Sequence, residues 1–329
     1  MKKYPAIDIF RLVCAVLVVM IHFSPNAETA PAAHVIKRCF TGQAVPYFLI
    51  TSGFFFTHKF TTAENNAAFI KSYCIRIFLL YGIWTLLKMP ATLETYLPKY
   101  EGRSTLFIIA VLARRLLVAG TPPFWYLLAL GETALLTGIL LKRKKEKLLY
   151  GLGLLGFVIT YLYDTRLFPA VLGPFYELIY TVFSWKNNFL MLGISYFSLG
   201  VLFHRRRETL NPSPRTLIGL YAAISAVGIG CILLRPDTFK YLSIWAPQSA
   251  LLFLLGLSLG TDAPGKKLAA FCRRNSAAIY SLHCFTGWIV SPIKFYPARL
   301  FTILAVCILV CELCRALKLK PIYRIITLQ

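Results

Sequence analysis

The first apolar segment of the chain, residues 6 to 24, contains three side chains that can carry a charge: Asp8, Arg11 and His22. An ionised group at the centre of a spanning helix costs about 2.5 to 3.5 kcal/mol, so ionisable residues in such segments indicate function by default. Arg11 and His22 are eleven residues apart, and an α-helix places such a pair on one face, about 16 Å apart along the axis. That face would carry a cation at one end and, at the other, a base suited to proton transfer near neutral pH.

A structural interpretation of these residues fits the pattern equally well. Arg11 can extend to the nearer membrane interface beside Asp8, and His22 can anchor the opposite interface. His283 lies about eight residues into another apolar segment, where it can either line a site or be a hydrogen-bonded core histidine. Glu132 is better explained by pairing with a basic or hydroxyl group between helices, because an unpaired carboxylate at that depth is costly.

The elements that must position these residues are membrane helices. Of the 329 residues, 57% are hydrophobic and 15% are charged, and the mean hydropathy is +0.64. This composition is too apolar for a water-facing domain, which excludes a soluble enzyme and a disordered linker protein. The net charge of +23 lies in short loops between apolar stretches, where it suits an anionic membrane surface and no nucleic-acid partner.

The sequence predicts an all-α integral membrane protein with about ten transmembrane helices in a single domain, residues 1 to 329. The ten apolar windows are 6–24, 43–60, 70–89, 123–141, 148–164, 188–204, 216–234, 242–260, 276–292 and 298–316. Basic residues number 21 on the side of the N-terminus and 13 on the other, so the positive-inside rule predicts that both termini are cytosolic. We expect the first window to remain as a helix, because no convincing cleavage site follows it, and nothing resembles a soluble appendage.

Two further apolar segments, 105 to 118 and 167 to 185, are interrupted by charged residues, prolines or glycine. We expect both to be outer-face helices or re-entrant pieces, since counting only one as a span would turn the later basic loops outward. The remaining histidines, His34, His58 and His204, fall in a loop or at helix ends, and we expect them to be solvated.

Nine cysteines are scattered mostly through apolar segments, which does not indicate a disulfide framework. The spacing Cys311-x-x-Cys314 is typical of metal or redox sites, but with Cys307 it forms one helical stripe and no second pair faces it. Helix packing is the better explanation. The sequence predicts no metal site and contains no Gly-rich phosphate loop or Gly-x-Ser-x-Gly elbow.

Five short motifs in the expected order resemble the acyltransferase 3 family, integral membrane enzymes that O-acylate sugars and other envelope components. The first is Asp8-Ile-Phe-Arg11 followed after ten residues by His22. The others are Val45-Pro-Tyr-Phe-Leu-Ile-Thr-Ser52-Gly53, Arg76 near the start of the third span, Phe124-Trp125-Tyr-Leu-Leu and Asn275-Ser276-Ala-Ala-Ile-Tyr280-Ser-Leu-His283. The resemblance runs from residue 5 to about 316, essentially the whole chain.

Within that family, Val45-Pro-Tyr-Phe and Asn188-Phe-Leu with Gly200 look most like the membrane half of VanT-type serine racemases. The racemase domain has no counterpart in this sequence, nor does the extracytoplasmic esterase-like domain that some relatives carry. The resemblance implies a multi-pass enzyme of the inner (cytoplasmic) membrane. It would transfer an acyl group, acetyl above all, from cytosolic acyl-CoA to a hydroxyl of an envelope glycan or its lipid-linked precursor, without a bound cofactor.

The resemblance also implies roles for individual residues. Arg11, Arg76 and Lys71 would bind the phosphates of acetyl-CoA or another acyl-CoA, and the pantetheine arm is comparable in length to the separation of Arg11 and His22. His22 would deprotonate the acceptor hydroxyl, by direct attack or through an acyl-histidine intermediate, and His283 would hold the thioester or complete the cavity wall.

The expected substrate-binding residues are Trp125, Asn188 and Tyr280, although interface anchoring explains Trp125 equally well. Two other functions stay open at this point. One is a transporter or permease for a small polar solute such as serine, which the missing internal repeat weakly disfavours. The other is a non-catalytic membrane partner of glycan synthesis.

Overall fold

The computed structural model describes residues 4–23, 31–183, 187–210, 212–234, 242–260 and 265–328. Throughout these ranges the regular structure is helical, with no strand. Six of the described helices are long and apolar enough to cross a membrane, namely α1, α4, α6, α7, α10 and α13 as defined below. The chain is therefore an all-α membrane protein, as predicted. The count of ten spans and the cytosolic termini stay predictions.

Fourteen α-helices lie in the described part of the chain. They are α1 (Pro5–Phe23), α2 (Pro31–Phe40), α3 (Ala44–Thr62), α4 (Asn66–Tyr96), α5 (Thr105–Arg114), α6 (Trp125–Lys142), α7 (Glu146–Thr165), α8 (Pro169–Phe183), α9 (Ile194–Arg206), α10 (Pro214–Leu234), α11 (Leu242–Ser258), α12 (Lys266–Ile289), α13 (Tyr296–Ala316) and α14 (Lys320–Ile326). Short 3-10 turns cover Thr41–Gln43 and Leu97–Tyr100, and π-helical turns cover Arg115–Ala119 and Phe189–Gly193.

Each predicted apolar window coincides with a helix, and so do the two interrupted segments. The segment 105 to 118 forms α5 and most of the π-helical turn after it, and the described part of 167 to 185 contains the whole of α8. Asn65 and Ser104 fix two of the helix starts, because their side-chain oxygens accept hydrogen bonds from backbone N–H groups three residues later. The position of the two interrupted segments relative to the membrane stays a prediction.

The chain divides into two compact units, Met1–Thr51 with Arg206–Gln329, and Ser52–Arg205. In the first unit α1 packs along α12, α12 against α13, and α10 against α11. Ala15 and Val19 of α1 meet Ile279 of α12 in a fully buried apolar cluster. The early part of α1 meets the early part of α12, and the later parts of the two helices also meet. The two helices are therefore parallel, as expected for the first and ninth of the predicted spans.

In the second unit α4 packs antiparallel to α6, and the π-helical turn at Phe189–Gly193 packs against α6 and α7. A smaller cluster of Tyr163, Tyr176, Ile179 and Met191 fills the space between α7, α8 and that turn. The nine cysteines are free thiols, and those of the predicted packing stripe, Cys307, Cys311 and Cys314, are buried on α13 of the first unit.

Two of the expectations for the remaining histidines are wrong. His204 is only 2% exposed, because the ring of Phe54 packs edge-on against it and His58 lies beside it, with the two histidine nitrogens 3.4 Å apart. His34 lies within α2 and is half-buried, so it is not a loop residue. A position near a helix end does not reveal whether neighbouring helices extend past it.

Candidate active site

The two histidines that the sequence predicts to be catalytic are neighbours. His22 lies in the last turn of α1 and His283 in the second half of α12, and their ring centroids are 5.2 Å apart with a tilt of 34° between the planes. His22 is exposed and His283 is fully buried. The sequence suggested different depths for the two residues. The parallel packing of α1 and α12 instead brings the rings together.

His283 is held in one orientation by its own helix. Its Nδ1 lies 2.7 Å from the carbonyl oxygen of Tyr280 and 3.1 Å from that of Ile279. A carbonyl oxygen only accepts, so Nδ1 must carry the proton in these hydrogen bonds. In the neutral ring the lone pair is then on Nε2, which lies 3.4 Å from the sulfur of Cys284. His283 is thus both the hydrogen-bonded core histidine and a direct neighbour of His22.

Phe23 packs against the histidine pair, and Arg299 packs against Phe23. The ring of Phe23 packs edge-on against His283, with centroids 6.2 Å apart, and the guanidinium of Arg299 lies 5.3 Å from the Phe23 ring centroid. Arg299 also donates a hydrogen bond of 3.2 Å to the carbonyl oxygen of Gly287. At Gly287 an added Cβ would collide with the Phe23 ring, so glycine is what permits this contact.

Arg299 is a site residue that the sequence interpretation missed, because it was counted only among loop charges. The signal was present, since residue 299 falls inside the last apolar window, and a cation there deserved the same scrutiny as Arg11. Its Nε is buried and lacks a hydrogen-bond partner in the described part of the chain. A ligand with an acceptor oxygen would satisfy that donor.

The opposite end of the α1–α12 pair carries an ionic cluster. Arg11 donates to the carboxylate of Asp8 at 3.0 Å, and Arg273 of α12 lies 3.8 Å from the second carboxylate oxygen. Arg11 therefore lies beside Asp8, as the structural interpretation expected. One carboxylate serves two guanidinium groups, so the cluster keeps a net charge of +1. The role of Arg273 was not predicted.

A second carboxylate near the same end of α12 joins that helix to α13. Glu312 accepts hydrogen bonds from Arg274 at 2.7 Å, Asn275 at 2.9 Å and Arg315 at 2.7 Å. Again two guanidinium groups share one carboxylate, which leaves one positive charge in surplus. Asn275, the first residue of the late family-like motif, thus has a structural role in holding α12 against α13.

Arg76 and Lys71 lie on different faces of α4. They are five residues apart, which corresponds to about 140° around a helix. Arg76 has its guanidinium carbon 5.4 Å from the ring centroid of Tyr73, and its buried Nε has no hydrogen-bond partner among the described residues. Lys71 instead lines a groove between α4 and α6. The structure therefore does not bring these two predicted donor-binding residues to one place.

The predicted substrate-binding residues also divide. Tyr280 has its ring centroid 6.2 Å from that of His283, so it belongs to the histidine pair. Trp125 begins α6, and the side-chain oxygen of Asn188 accepts a 3.0 Å hydrogen bond from the backbone of Met191, which caps the π-helical turn. Both belong to the second unit. The partner expected for Glu132 is not found among the described residues.

The six apolar helices of membrane-spanning length indicate a multi-pass membrane protein, and the histidine pair is its candidate site. Residues 4–314 match the acyltransferase 3 family, described as an acyltransferase domain. The chain belongs to that family.

Two curated relatives are amino-acid racemases of Enterococcus faecalis. One is 29% identical over 209 residues, which cover 60% of this chain and 28% of the racemase. The other is 27% identical over 315 residues, which cover 88% of this chain and 42% of the racemase. The chain thus spans less than half the length of these relatives. No solved structure matches it.

Proposed function

We propose that the protein is a membrane-bound O-acyltransferase of the inner (cytoplasmic) membrane. It moves an acyl group, acetyl above all, from cytosolic acyl-CoA to a hydroxyl of an envelope glycan or its lipid-linked precursor. The single observation that carries the proposal is the proximity of His22 and His283, 5.2 Å apart, in a chain of an acyltransferase family. The surplus positive charge at the other end of the same two helices supports a phosphate-bearing donor.

In the proposed donor site, Arg11 and Arg273 bind the phosphates of acyl-CoA. Asp8 orients both guanidinium groups, and their surplus charge attracts the anion. The extended pantetheine arm then spans the distance of about 16 Å between Arg11 and His22, which places the thioester near the histidines. Arg76 of the second unit is a separate candidate contact for an anionic ligand, because its buried Nε has no hydrogen-bond partner among the described residues.

In the proposed reaction, His22 removes the proton of the acceptor hydroxyl while the oxygen attacks the thioester carbonyl. The tetrahedral intermediate collapses, the carbon–sulfur bond breaks and CoA leaves as a thiolate that takes up the proton. His283, with its lone pair on Nε2, assists from the neighbouring position, and Tyr280 contacts substrate. In the two-step alternative the acyl group resides on a histidine before transfer.

A second candidate function follows from the names of the relatives. Both are amino-acid racemases, and this chain covers 42% or less of each. A membrane part that carries a small polar solute such as serine would complement a racemase. In that case the histidine pair would bind or release a proton during transport, and no acyl group would be transferred.

One experiment separates the two functions. The purified protein in liposomes is given labelled acetyl-CoA in one arm and labelled serine in the other. Hydrolysis or transfer of the acetyl group supports the acyltransferase, whereas serine flux without acetyl-CoA supports the carrier and contradicts our proposal. Comparison of base-labile acetyl esters in envelope polymers of cells with and without the gene then identifies the acceptor class.

A further inference from the structure

A groove of about 620 Å³ runs between α4 and α6 in the second unit. Its walls are apolar and include Ile75 and Phe78 of α4 and Leu135 and Ile139 of α6. Ile75, Leu135 and Ile139 remain 39% to 47% exposed, so the groove opens along the sides of the two helices. Both helices are long and apolar enough to cross a membrane. In a bilayer, the groove therefore contacts lipid acyl chains.

One end of the groove is cationic. Lys71 lies near the start of α4, Lys142 ends α6 and Arg143 follows it, and the antiparallel packing of the helices brings all three to the same end. No carboxylate in the described ranges pairs with any of them. Glu146, the acidic residue nearest to Lys142 and Arg143 along the chain, is paired with Arg205. Three uncompensated cations thus adjoin an apolar channel.

We propose that this groove is a specific site for an anionic glycerophospholipid. The phosphate binds Lys71, Lys142 and Arg143, and one acyl chain lies along the wall formed by Leu135 and Ile139. The complementarity is twofold, since an anionic headgroup meets three cations and a hydrocarbon chain meets an apolar, membrane-length surface. Because the groove opens toward the surrounding bilayer, phospholipid molecules can enter it directly from the membrane.

A general attraction to the anionic leaflet makes a different prediction. Each basic residue near the membrane surface contributes to such attraction, regardless of which helix face it occupies. Lys144 and Lys145 belong to the same loop and do not line the groove. If only leaflet charge matters, replacing this pair will weaken lipid binding as much as replacing Lys142 and Arg143.

The test measures lipid binding by the purified full chain in detergent, with phosphatidylglycerol as the anionic probe and phosphatidylcholine as the neutral one. Native mass spectrometry gives the bound fraction at each lipid concentration. We expect K142Q/R143Q to lower phosphatidylglycerol affinity by about tenfold or more, because each hydrogen bond to a charged group is worth about 1.5 to 3 kcal/mol. The matched variant K144Q/K145Q should change it less than about twofold.

A second pair of variants tests the apolar part without altering charge. Leu135→Trp fills the groove and should reduce phosphatidylglycerol binding, whereas Leu86→Trp, on an exposed part of α4 outside the groove, should not. The site would be overturned if K142Q/R143Q and K144Q/K145Q lost phosphatidylglycerol affinity equally, or if Leu135→Trp left phosphatidylglycerol binding unchanged. Displacement of bound phosphatidylglycerol by acetyl-CoA would also overturn it, because the groove would then be a donor site.

This inference does not depend on the proposed reaction, although the family resemblance implied that Lys71 binds the donor. The variants leave Lys71 unchanged, and the readout is lipid binding and not acyl transfer. An inactive protein that binds phosphatidylglycerol in the groove would contradict only the proposed function. A protein that transfers acetyl groups and shows no groove-dependent binding would contradict only the lipid site.

Discussion

Different types of interaction hold α1 and α12 together at the two ends of the helix pair. At the N-terminal ends, Asp8 bridges Arg11 of its own helix and Arg273 of the partner helix. At the C-terminal ends, the contacts are between rings, with His22 and Phe23 packed against His283. The ionic end fixes the position of one helix along the other. The aromatic end then holds two titratable rings side by side.

In the proposed function, this difference separates the binding of acyl-CoA, at the ionic end, from the transfer of the acyl group, at the aromatic end. Guanidinium groups that share a carboxylate are orientated and still attract an anion. The histidines lie about 16 Å from that charge, so a substitution at one end should leave the other end intact. Each substitution below alters one end and leaves the other as its internal control.

Replacement of His22 is expected to have the largest effect. His22→Ala removes the proposed base, and general-base contributions are about 100- to 10,000-fold in rate, so acetyl transfer should fall by that factor. Acetyl-CoA binding should change less than about twofold, because the ionic end is untouched. Donor binding by calorimetry and transfer of labelled acetyl are measured on the same preparation. His34→Ala, a histidine of α2, is the matched control, and retained transfer in His22→Ala would remove His22 from the reaction.

Neutralisation of Arg11 should produce the complementary result. Arg11→Gln removes a charged hydrogen-bond donor, worth about 1.5 to 3 kcal/mol, so acetyl-CoA affinity should fall about 10- to 150-fold. Arg11→Lys should restore only part of the affinity, because an ammonium group cannot reproduce the planar fork of a guanidinium on phosphate. Equilibrium binding of labelled acetyl-CoA reports both. Equal affinity in the wild type and in Arg11→Gln would show that the ionic end has only a structural role.

Loss of the shared carboxylate should affect stability. Asp8→Asn removes the carboxylate charge that Arg11 and Arg273 share, and we expect the free energy of unfolding to fall by about 1 to 3 kcal/mol. A thermal-shift measurement in detergent reports the change. Glu208→Gln is the control, because the exposed pair of Glu208 with Arg207 should contribute less than about 1 kcal/mol. An unchanged midpoint in Asp8→Asn would mean that the ionic end does not hold the helices together.

The smallest effect is expected at Gly287, where two contributions oppose each other. In Gly287→Ala the new methyl group displaces the Phe23 ring, and overpacking of this kind costs about 1 to 3 kcal/mol. The higher helix propensity of alanine recovers about 1 kcal/mol. We therefore expect a net loss of about 0 to 2 kcal/mol in the thermal-shift assay, with transfer reduced several-fold. Gly219→Ala, where an added Cβ meets nothing, should only stabilise.

The helical periodicity of the sequence was sufficient to predict most of the helices, although α2 was expected to be a loop, and it predicts that Arg11 and His22 share one face. It could not predict which helix covers that face, because residues more than 240 positions apart meet there. Arg273 and Arg299 were counted as loop charges for this reason. Both lie in or beside apolar windows, so a stricter reading of every cation at a window edge would have selected them.

The second unit shows a different limit of prediction. The expected depth of Arg76 and Lys71 in the membrane suggested that they act together, yet five residues on a helix place side chains on different faces. His204 was expected at a solvated end and is buried against Phe54 and His58. Burial of this kind depends on how far neighbouring helices extend, and a single sequence does not contain that information.

The parallel pairing of α1 with α12 has a consequence for biosynthesis. Synthesis proceeds at about 5 to 20 residues per second, so α1 waits on the order of tens of seconds in the membrane before α12 is made. Throughout this interval Arg273 does not exist, and the partner of Asp8 among the described residues of α1 is Arg11, three residues away on the same helix. The local ion pair forms as soon as the helix does. The chain therefore carries its own temporary counter-ion, and slower translation between α1 and α12 should be tolerated.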